Sequence, residues 1–114
     1  MGIIAERWIV DERVHLDVQR LTGPHRAFGA IALGAPPPGG ALLLPRCGSV
    51  HGCFIRTALD VVFVDRAGVA LRVARLDPWR ALWRPGAHAA FELAAGEAAR
   101  LGVRAGMRFK KISF

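Results

Sequence analysis

A chain of 114 residues, 53% of them hydrophobic and with a formal net charge of +7, is typical of one globular domain and is too apolar to be intrinsically disordered. Its longest apolar runs fall far short of the roughly 20 residues that a membrane-spanning helix needs. The opening residues, MGIIAERWIVDER, become charged before a signal-peptide core could form. We therefore expect a soluble, cytoplasmic protein without a transmembrane segment, with one domain spanning residues 1–114.

The positive charge comes from fourteen arginines and two lysines, and the arginines are dispersed along the chain. Dispersed arginines attract nucleic acid through its phosphates, which gives weak, sequence-independent binding that salt abolishes. No nucleic-acid recognition motif accompanies them. The sequence therefore favours no specific nucleic-acid partner, and non-specific binding through the arginines is kept as an alternative.

The first half of the chain predicts short strands and one helix. Apolar and polar residues alternate over 8–10 and 14–18, which indicates two strands. Thr22 is a suitable cap for a helix that has Pro24 in its first turn and ends before Gly34. The segment APPPGG at 35–40 predicts a surface loop, and ALLLP at 41–45 and GCFIR at 52–56 are each predicted to be a strand.

The second half begins with the strongest local signal. Two apolar runs flank the turn DRAG at 65–68, and this pattern predicts a hairpin that pairs residues 60–65 with 69–76. DPWRALWRPG at 77–86 is predicted to be a loop. AHAAFEL predicts a strand, AGEAARLG a short helix closed by Gly102, and GMRFKKISF a terminal strand. We expect a mostly β (α+β) fold, a compact β-sandwich or jelly-roll-like barrel with two short helices.

The order of these segments resembles a bacterial and archaeal family known as domain of unknown function 192. The family's run His, Thr, aromatic, aromatic, Met, Arg, aromatic, Pro, Ile, Asp before VVFLDRDG corresponds to HGCFIRTALD at 51–60, before VVFVDRAG. The similarity continues through LDPWRALWRPGAHAAFELAAGEAARLGVRAGMRF and covers the chain from about residue 18 onward. It implies a compact, jelly-roll-like β domain and brings no established activity. Departures from the family pattern lie at Gly52, Cys53, Ile55, Thr57 and Ala58, and they imply an altered shape for any pocket there.

The stretch CGSVHGC at 47–53 places two cysteines and a histidine within seven residues. A metal site needs three or four ligands, and Cys47, His51 and Cys53 supply at most three, with no second ligand pair elsewhere. We therefore expect no metal and no cofactor. A disulfide between Cys47 and Cys53 is sterically conceivable, but a reducing compartment disfavours it.

The candidate ligand site comprises His51, Arg56, Asp60, Trp79 and Arg80. Asp60 is carried towards the core by the strand that follows, and a charge there persists only when it is paired and hydrogen-bonded. Arg56 and Arg80 are the candidate partners for Asp60, and a backbone amide is the alternative. The tryptophan and arginines of the 77–86 segment suit a small anionic or polar ligand, or they close one end of the barrel.

We predict a non-enzymatic binding or accessory module. The alternative is a small hydrolase or transferase in which Cys47 or Ser49 is the nucleophile, His51 the base and Asp60 the orienting acid. The sequence contains no Gly-x-Ser-x-Gly elbow to present a nucleophile, and no phosphate-binding glycine motif.

Overall fold

The computed structural model describes residues 2–23, 30 and 33–113. The described part forms these elements in chain order: β1 (Ile3–Val10), β2 (Val14–Leu21), β3 (Gly40–Pro45), β4 (Ser49–His51), β5 (Leu59–Val64), β6 (Ala70–Leu76), β7 (Ala81–Trp83), β8 (Ala89–Ala94), α1 (Glu97–Leu101) and β9 (Phe109–Lys111). A mostly β domain is therefore confirmed. Within the described residues, no helix is long and apolar enough to cross a membrane.

Seven strands form one sheet in the order β6-β5-β8-β3-β2-β1-β9, and β4 pairs with β7 in a separate two-stranded sheet. Neighbours in the large sheet are antiparallel, apart from the parallel pair β2 and β3. Parallel neighbours need a long crossover connection, and residues 22–39 supply it. The predicted hairpin is confirmed, because β5 and β6 pair antiparallel around the turn at 65–68.

The large sheet curls into a half-barrel. Its two edges meet at one end, where Val69 beside β6 forms an antiparallel bridge with Arg108 beside β9. Gly68 makes this closure possible: its φ is 85°, and a Cβ there would lie 2.3 Å from the carbonyl oxygen of Phe109. The jelly-roll or sandwich arrangement stays a prediction.

Two hydrophobic clusters occupy the two faces of the large sheet. The inner cluster lies within the curl and includes Leu16, Leu43, Phe91 and Phe109. The outer cluster includes Leu42, Val61, Phe63 and Leu76, and it is covered by Val50 of β4, Ile55 and Ala30. Successive strand residues point to opposite faces, which is why Leu42 and Leu43 belong to different clusters.

Two sequence predictions are wrong and one falls mostly outside the described residues. Residues 52–56 are not a strand: β4 ends at His51, and Phe54 has a φ of 67°, which no strand accommodates. The predicted loop at 77–86 contains β7, which pairs with β4. Of the helix predicted after Thr22, Ala30 and Leu33 are helical, and residues 24–29 and 31–32 lie outside the described residues.

Candidate functional site

Two loops meet beside the small sheet, one over residues 52–58 and one over residues 77–80. Gly52 joins them, because its amide donates to the carbonyl of Arg80 (2.7 Å) and its carbonyl accepts from the amide of Trp79 (2.8 Å). A Cβ at Gly52 would lie 2.5 Å from the carbonyl oxygen of Asp77. The approach of the two loops therefore depends on a glycine at position 52.

Each loop presents an exposed aromatic residue in an unusual backbone conformation. Phe54 and Trp79 have φ values of 67° and 65°, in the left-handed region that bulky residues rarely adopt. Their rings meet edge to face, with centroids 4.8 Å apart and an interplanar angle of 65°. Phe54 is 71% exposed and Trp79 is 63% exposed. Backbone strain of this kind gathers at binding and catalytic sites, where the surrounding structure holds it in place.

A cavity of about 460 Å³ lies beside Phe54. Its residues are Ala30, Gly34, Ala35, Phe54, Ile55, Arg56, Thr57 and Leu59. Ile55 and Leu59 are buried and form an apolar floor, whereas Arg56 and Thr57 are exposed and supply polar groups at the rim. This volume falls within the range of pockets that hold small molecules.

The predicted site residues divide between the two faces of the large sheet. Arg56 lines the cavity on the outer face, and Trp79 reaches it by its contact with Phe54. His51 and Arg80 are exposed, on β4 and on the loop that leads into β7, and neither lines the cavity. The structure does not bring Asp60 to them, because Asp60 pairs with Leu93 of the inner cluster and so lies on the other face of the sheet.

The carboxylate of Asp60 holds the start of α1. Its Oδ2 accepts hydrogen bonds of 3.0 Å from the amides of both Gly96 and Ala98. The first amides of a helix have no partner within the helix, and Gly96 at the cap position offers no side chain. Among the described residues, Asp60 forms no ion pair with Arg56 or Arg80. The contacts of Asp60 are therefore those of the alternative in which its partner is a backbone amide.

Cys47 and Cys53 are not joined by a disulfide, and both are partly buried. Cys47 packs against the outer cluster, and its Sγ donates to the carbonyl of Ser49 at 2.9 Å. Within residues 2–23, 30 and 33–113, no three histidine, cysteine or acidic side chains are grouped closely enough to hold a metal ion. Asp60, the predicted orienting acid, lies on the other face of the large sheet from β4, which carries His51.

Glu92 is the polar residue that the sequence reasoning missed. It lies in the middle of β8, is 4% exposed, and has Leu42 and Val61 as its cross-strand neighbours. Burial raises the pKa of Glu92 to about 7, and a hydrogen bond from the backbone of Ala30 opposes the rise. Its Oε1 has no hydrogen-bond partner among the described residues. A lone carboxyl within the apolar strand AHAAFELA was the signal that could have identified it.

The other buried carboxyl groups are satisfied. Glu97 accepts hydrogen bonds from Arg100 and from the amide of Gly39, and these hold the pKa of Glu97 down at about 2. Burial raises the pKa of Glu6, but hydrogen bonds from Arg20 and Trp8 outweigh it, so the pKa of Glu6 is lowered overall. Glu6 also lies 3.3 Å from the Nζ of Lys111.

A larger groove of about 850 Å³ lies between the proline segment at 36–38 and strands β1 and β2. Its charged side chains pair with one another: Glu6 with Lys111, and Arg7 with Asp17 at 3.4 Å. A ligand entering this groove would have to compete with these pairs. The smaller cavity is the better candidate site, because Arg56 forms no ion pair with a described residue.

Fold and cavity together define a small, mostly β domain with a ligand-sized cavity on the outer face of its main sheet. The chain belongs to the family called domain of unknown function 192, described as "Uncharacterized ACR", whose profile matches residues 22–111. The resemblance drawn from HGCFIRTALD and VVFVDRAG is confirmed by this match. Among curated proteins, none matches the chain.

Two crystal structures share the fold. One is of a Sinorhizobium meliloti 1021 protein named "putative transcription regulator", with a TM-score of 0.85, 20% identity, and coverage of 97% of this chain and 96% of that one. The other is a protein of unknown function from Novosphingobium aromaticivorans DSM 12444, with a TM-score of 0.74, 19% identity, and coverage of 95% and 84%. At these identities the similarity concerns the fold alone.

Proposed function

We propose that this protein is a non-enzymatic binding module whose ligand site is the cavity beside Phe54. The ligand is a small molecule with an apolar body and an anionic group. The observation that carries the proposal is the exposed pair of Phe54, which lines the cavity, and Trp79, which contacts Phe54; each is held in a strained backbone conformation. Conformations of this kind cost on the order of 1–3 kcal/mol each, and folding alone does not require two exposed aromatic residues to adopt them.

The cavity suits such a ligand in both its floor and its rim. Ile55 and Leu59 offer an apolar floor to the body of the ligand. Arg56 offers a guanidinium, which binds carboxylate and phosphate groups with two parallel hydrogen bonds. His51 and Arg80 add positive or polar groups on the same side of the molecule, and we assign them a secondary part in attracting the anion.

Asp60 has a structural part in this proposal. Its carboxylate is already used by the amides at the start of α1, on the opposite face of the sheet from Arg56. The hydrolase or transferase alternative needs Asp60 beside His51, and it needs a free nucleophile. The Sγ of Cys47 is instead directed to the carbonyl of Ser49. A binding role is therefore better supported than catalysis.

The experiment is a titration with 4-methylbenzoate, followed by backbone amide chemical shifts in the wild-type protein and in variants. We expect shifts at Ile55, Thr57 and Leu59, and at least a tenfold weaker affinity in Arg56→Gln, because a charge-assisted pair of hydrogen bonds is lost. Arg66→Gln is the matched control: Arg66 is exposed in the turn at 65–68, away from the cavity.

The neutral analogue 4-methylbenzyl alcohol separates the anion from the apolar body. The alcohol should bind the wild type more weakly than 4-methylbenzoate does. Its affinity for Arg56→Gln should equal its affinity for the wild type. Shifts confined to the groove at 36–38, or no shifts at any amide, would overturn the proposed function.

A further inference from the structure

Glu92 lies on the same face of the sheet as the cavity. Its cross-strand neighbours Leu42 and Val61 both belong to the outer cluster, so the carboxyl is directed to that face. The inner face takes the flanking residues Phe91 and Leu93. A carboxyl group therefore sits within the layer that separates the main sheet from the loops covering it.

One residue connects Glu92 with the cavity. The backbone of Ala30 hydrogen-bonds to the Glu92 carboxyl, and Ala30 also lines the cavity. Leu59, on the cavity floor, lies diagonally across from Glu92. Val61 is the direct cross-strand partner of Glu92, and Leu59 is two residues before Val61 on the same face of β5. Diagonal neighbours of this kind have Cβ atoms about 7 Å apart. The carboxyl group therefore neighbours two residues that line the cavity, Ala30 and Leu59, although Glu92 is not itself a lining residue.

One carboxyl oxygen of Glu92 accepts no hydrogen bond from the described residues. Its Oε1 is buried and has no hydrogen-bond partner among the described residues. The other charged or titratable residues whose register places them on this face are all exposed: Arg7 of β1, His15 and Asp17 of β2, Arg72 of β6 and Lys110 of β9. Asp17 pairs with Arg7, and Arg72 donates to the carbonyl of Trp83. No cation of the described residues compensates the carboxylate.

A buried carboxyl with one unpartnered oxygen is unfavourable for folding, and a group of this kind in a native structure calls for an explanation such as a bound ion or a functional role. A primary ammonium is the complementary group: it donates up to three hydrogen bonds, neutralises the carboxylate and is small enough for the inner end of a cavity. A neutral hydroxyl could donate one hydrogen bond but would leave the charge uncompensated.

We propose that Glu92 binds an ammonium group at the inner end of the cavity, so that the ligand carries an amine opposite the anionic group held by Arg56. This inference rests on the proposed function in one respect, namely that the cavity is a ligand site. The ligand class is then a small amphoteric molecule, with an amine and an acid at opposite ends of an apolar body.

The experiment measures the binding of benzylamine, which carries an amine but no anionic group that Arg56 could bind. Titrations of the wild type, Glu92→Gln and the control Arg66→Gln are followed by amide shifts at Ile55 and Leu59, with benzyl alcohol as the neutral analogue. We expect benzylamine to bind the wild type, to bind Glu92→Gln at least tenfold more weakly, and to bind Arg66→Gln within about twofold of the wild type. Glutamine keeps the size of the side chain, removes its charge and replaces one acceptor oxygen by an amide donor.

The wild type alone provides a second readout, so a poorly folded variant cannot hide the result. Benzylamine stays cationic between about pH 5.5 and pH 8, whereas Glu92 ionises near the middle of that range. The affinity of the wild type for benzylamine should therefore rise about tenfold or more between about pH 5.5 and pH 8. The chemical shift of the side-chain carboxyl carbon of Glu92 should change when benzylamine is added.

The outcomes separate the two proposals. If 4-methylbenzoate binds as expected while benzylamine binds Glu92→Gln as tightly as the wild type, or no better than benzyl alcohol does, the role of Glu92 is refuted and the cavity remains a ligand site. If benzylamine shows the expected dependence on Glu92 while 4-methylbenzoate does not bind, the amine site stands and the anion site is refuted. If neither compound perturbs the cavity amides, both proposals fail.

Discussion

The carboxylate of Asp60 accepts a hydrogen bond from the amide of Ala98, which lies 38 residues further along the chain. The same oxygen accepts from Gly96, so one side chain of β5 holds the first turn of α1. A helix of five residues is too short to be stable alone. Asp60 thus connects the most buried hairpin of the sheet with the only complete helix among the described residues.

Replacing Asp60 should weaken the fold and leave the proposed ligand site intact. We expect Asp60→Ala to lower the free energy of unfolding by about 1–2 kcal/mol, because two helix amides lose their acceptor. Asp60→Asn keeps one oxygen acceptor and should lose less. Asp77→Ala, which removes an exposed ion pair with Arg75, is the control and should change stability by less than about 1 kcal/mol. Urea denaturation measures all three.

A binding test on the same variants decides between scaffold and site. Folded Asp60→Asn should bind 4-methylbenzoate like the wild type. A selective loss of binding with unchanged stability would place Asp60 in the ligand site instead.

Glu92 should make the protein less stable as the pH rises towards neutrality. Its pKa is raised in the folded state, so between the ordinary value of 4.5 and about 7 the folded protein holds a proton that the unfolded chain has lost. Stability therefore falls over that interval as the pH rises, by about 3 kcal/mol in total. Denaturation of the wild type at about pH 5 and pH 8 measures the fall, and Glu92→Gln should largely remove it. An equal fall in both proteins would contradict the assignment to Glu92.

Glu97 should act in the opposite direction and at lower pH. Its pKa is lowered to about 2 by Arg100 and the amide of Gly39, so the unfolded chain takes up a proton first as the pH falls. The stability that Glu97 contributes is present above the ordinary value of 4.5 and is lost as the pH falls from there to about 2. Glu97→Gln should lose about 1 kcal/mol at neutral pH. Glu12→Gln, which affects only an exposed pair with Lys110, is the matched control.

Two glycines of the same region should respond differently to alanine. In Gly52→Ala the new Cβ would lie 2.5 Å from the carbonyl of Asp77, so the two loops must separate; in Gly48→Ala the nearest atoms lie at 3.7 Å. We expect Gly52→Ala to cost about 1–3 kcal/mol and to weaken 4-methylbenzoate binding, with little effect from Gly48→Ala. If Gly52→Ala binds like the wild type, the junction of the loops does not shape the site.

Nucleic-acid binding should be weak and independent of sequence. Trp79, Trp83 and the neighbouring arginines are exposed, and such a surface attracts phosphates and stacks on bases. Fluorescence anisotropy with oligonucleotides of different sequence should give similar affinities that collapse as salt rises to about 200 mM. A sequence-selective complex that survives this salt concentration would overturn the expectation.

The sequence by itself determined the elements whose signals are local. Alternation of apolar and polar residues indicated β1 and β2, and the turn at 65–68 with its two apolar flanks indicated the hairpin. The short helix closed by Gly102 was likewise visible. These features depend on residues a few positions apart, so the chain encodes them in its immediate pattern.

The positions of the residues of the candidate site were decided by tertiary structure alone. The segment GCFIR reads as a strand, but Gly52 packs against the carbonyl of Asp77, 25 positions away, and this contact turns the chain so that Phe54 meets Trp79. A three-residue strand such as β7 has too few residues for a periodic signal, and it forms because β4 lies beside it. The placement of Asp60 and Glu92 on opposite faces of the sheet followed from strand register. A shift of one residue in register exchanges the two faces of a strand, and local sequence does not specify that choice.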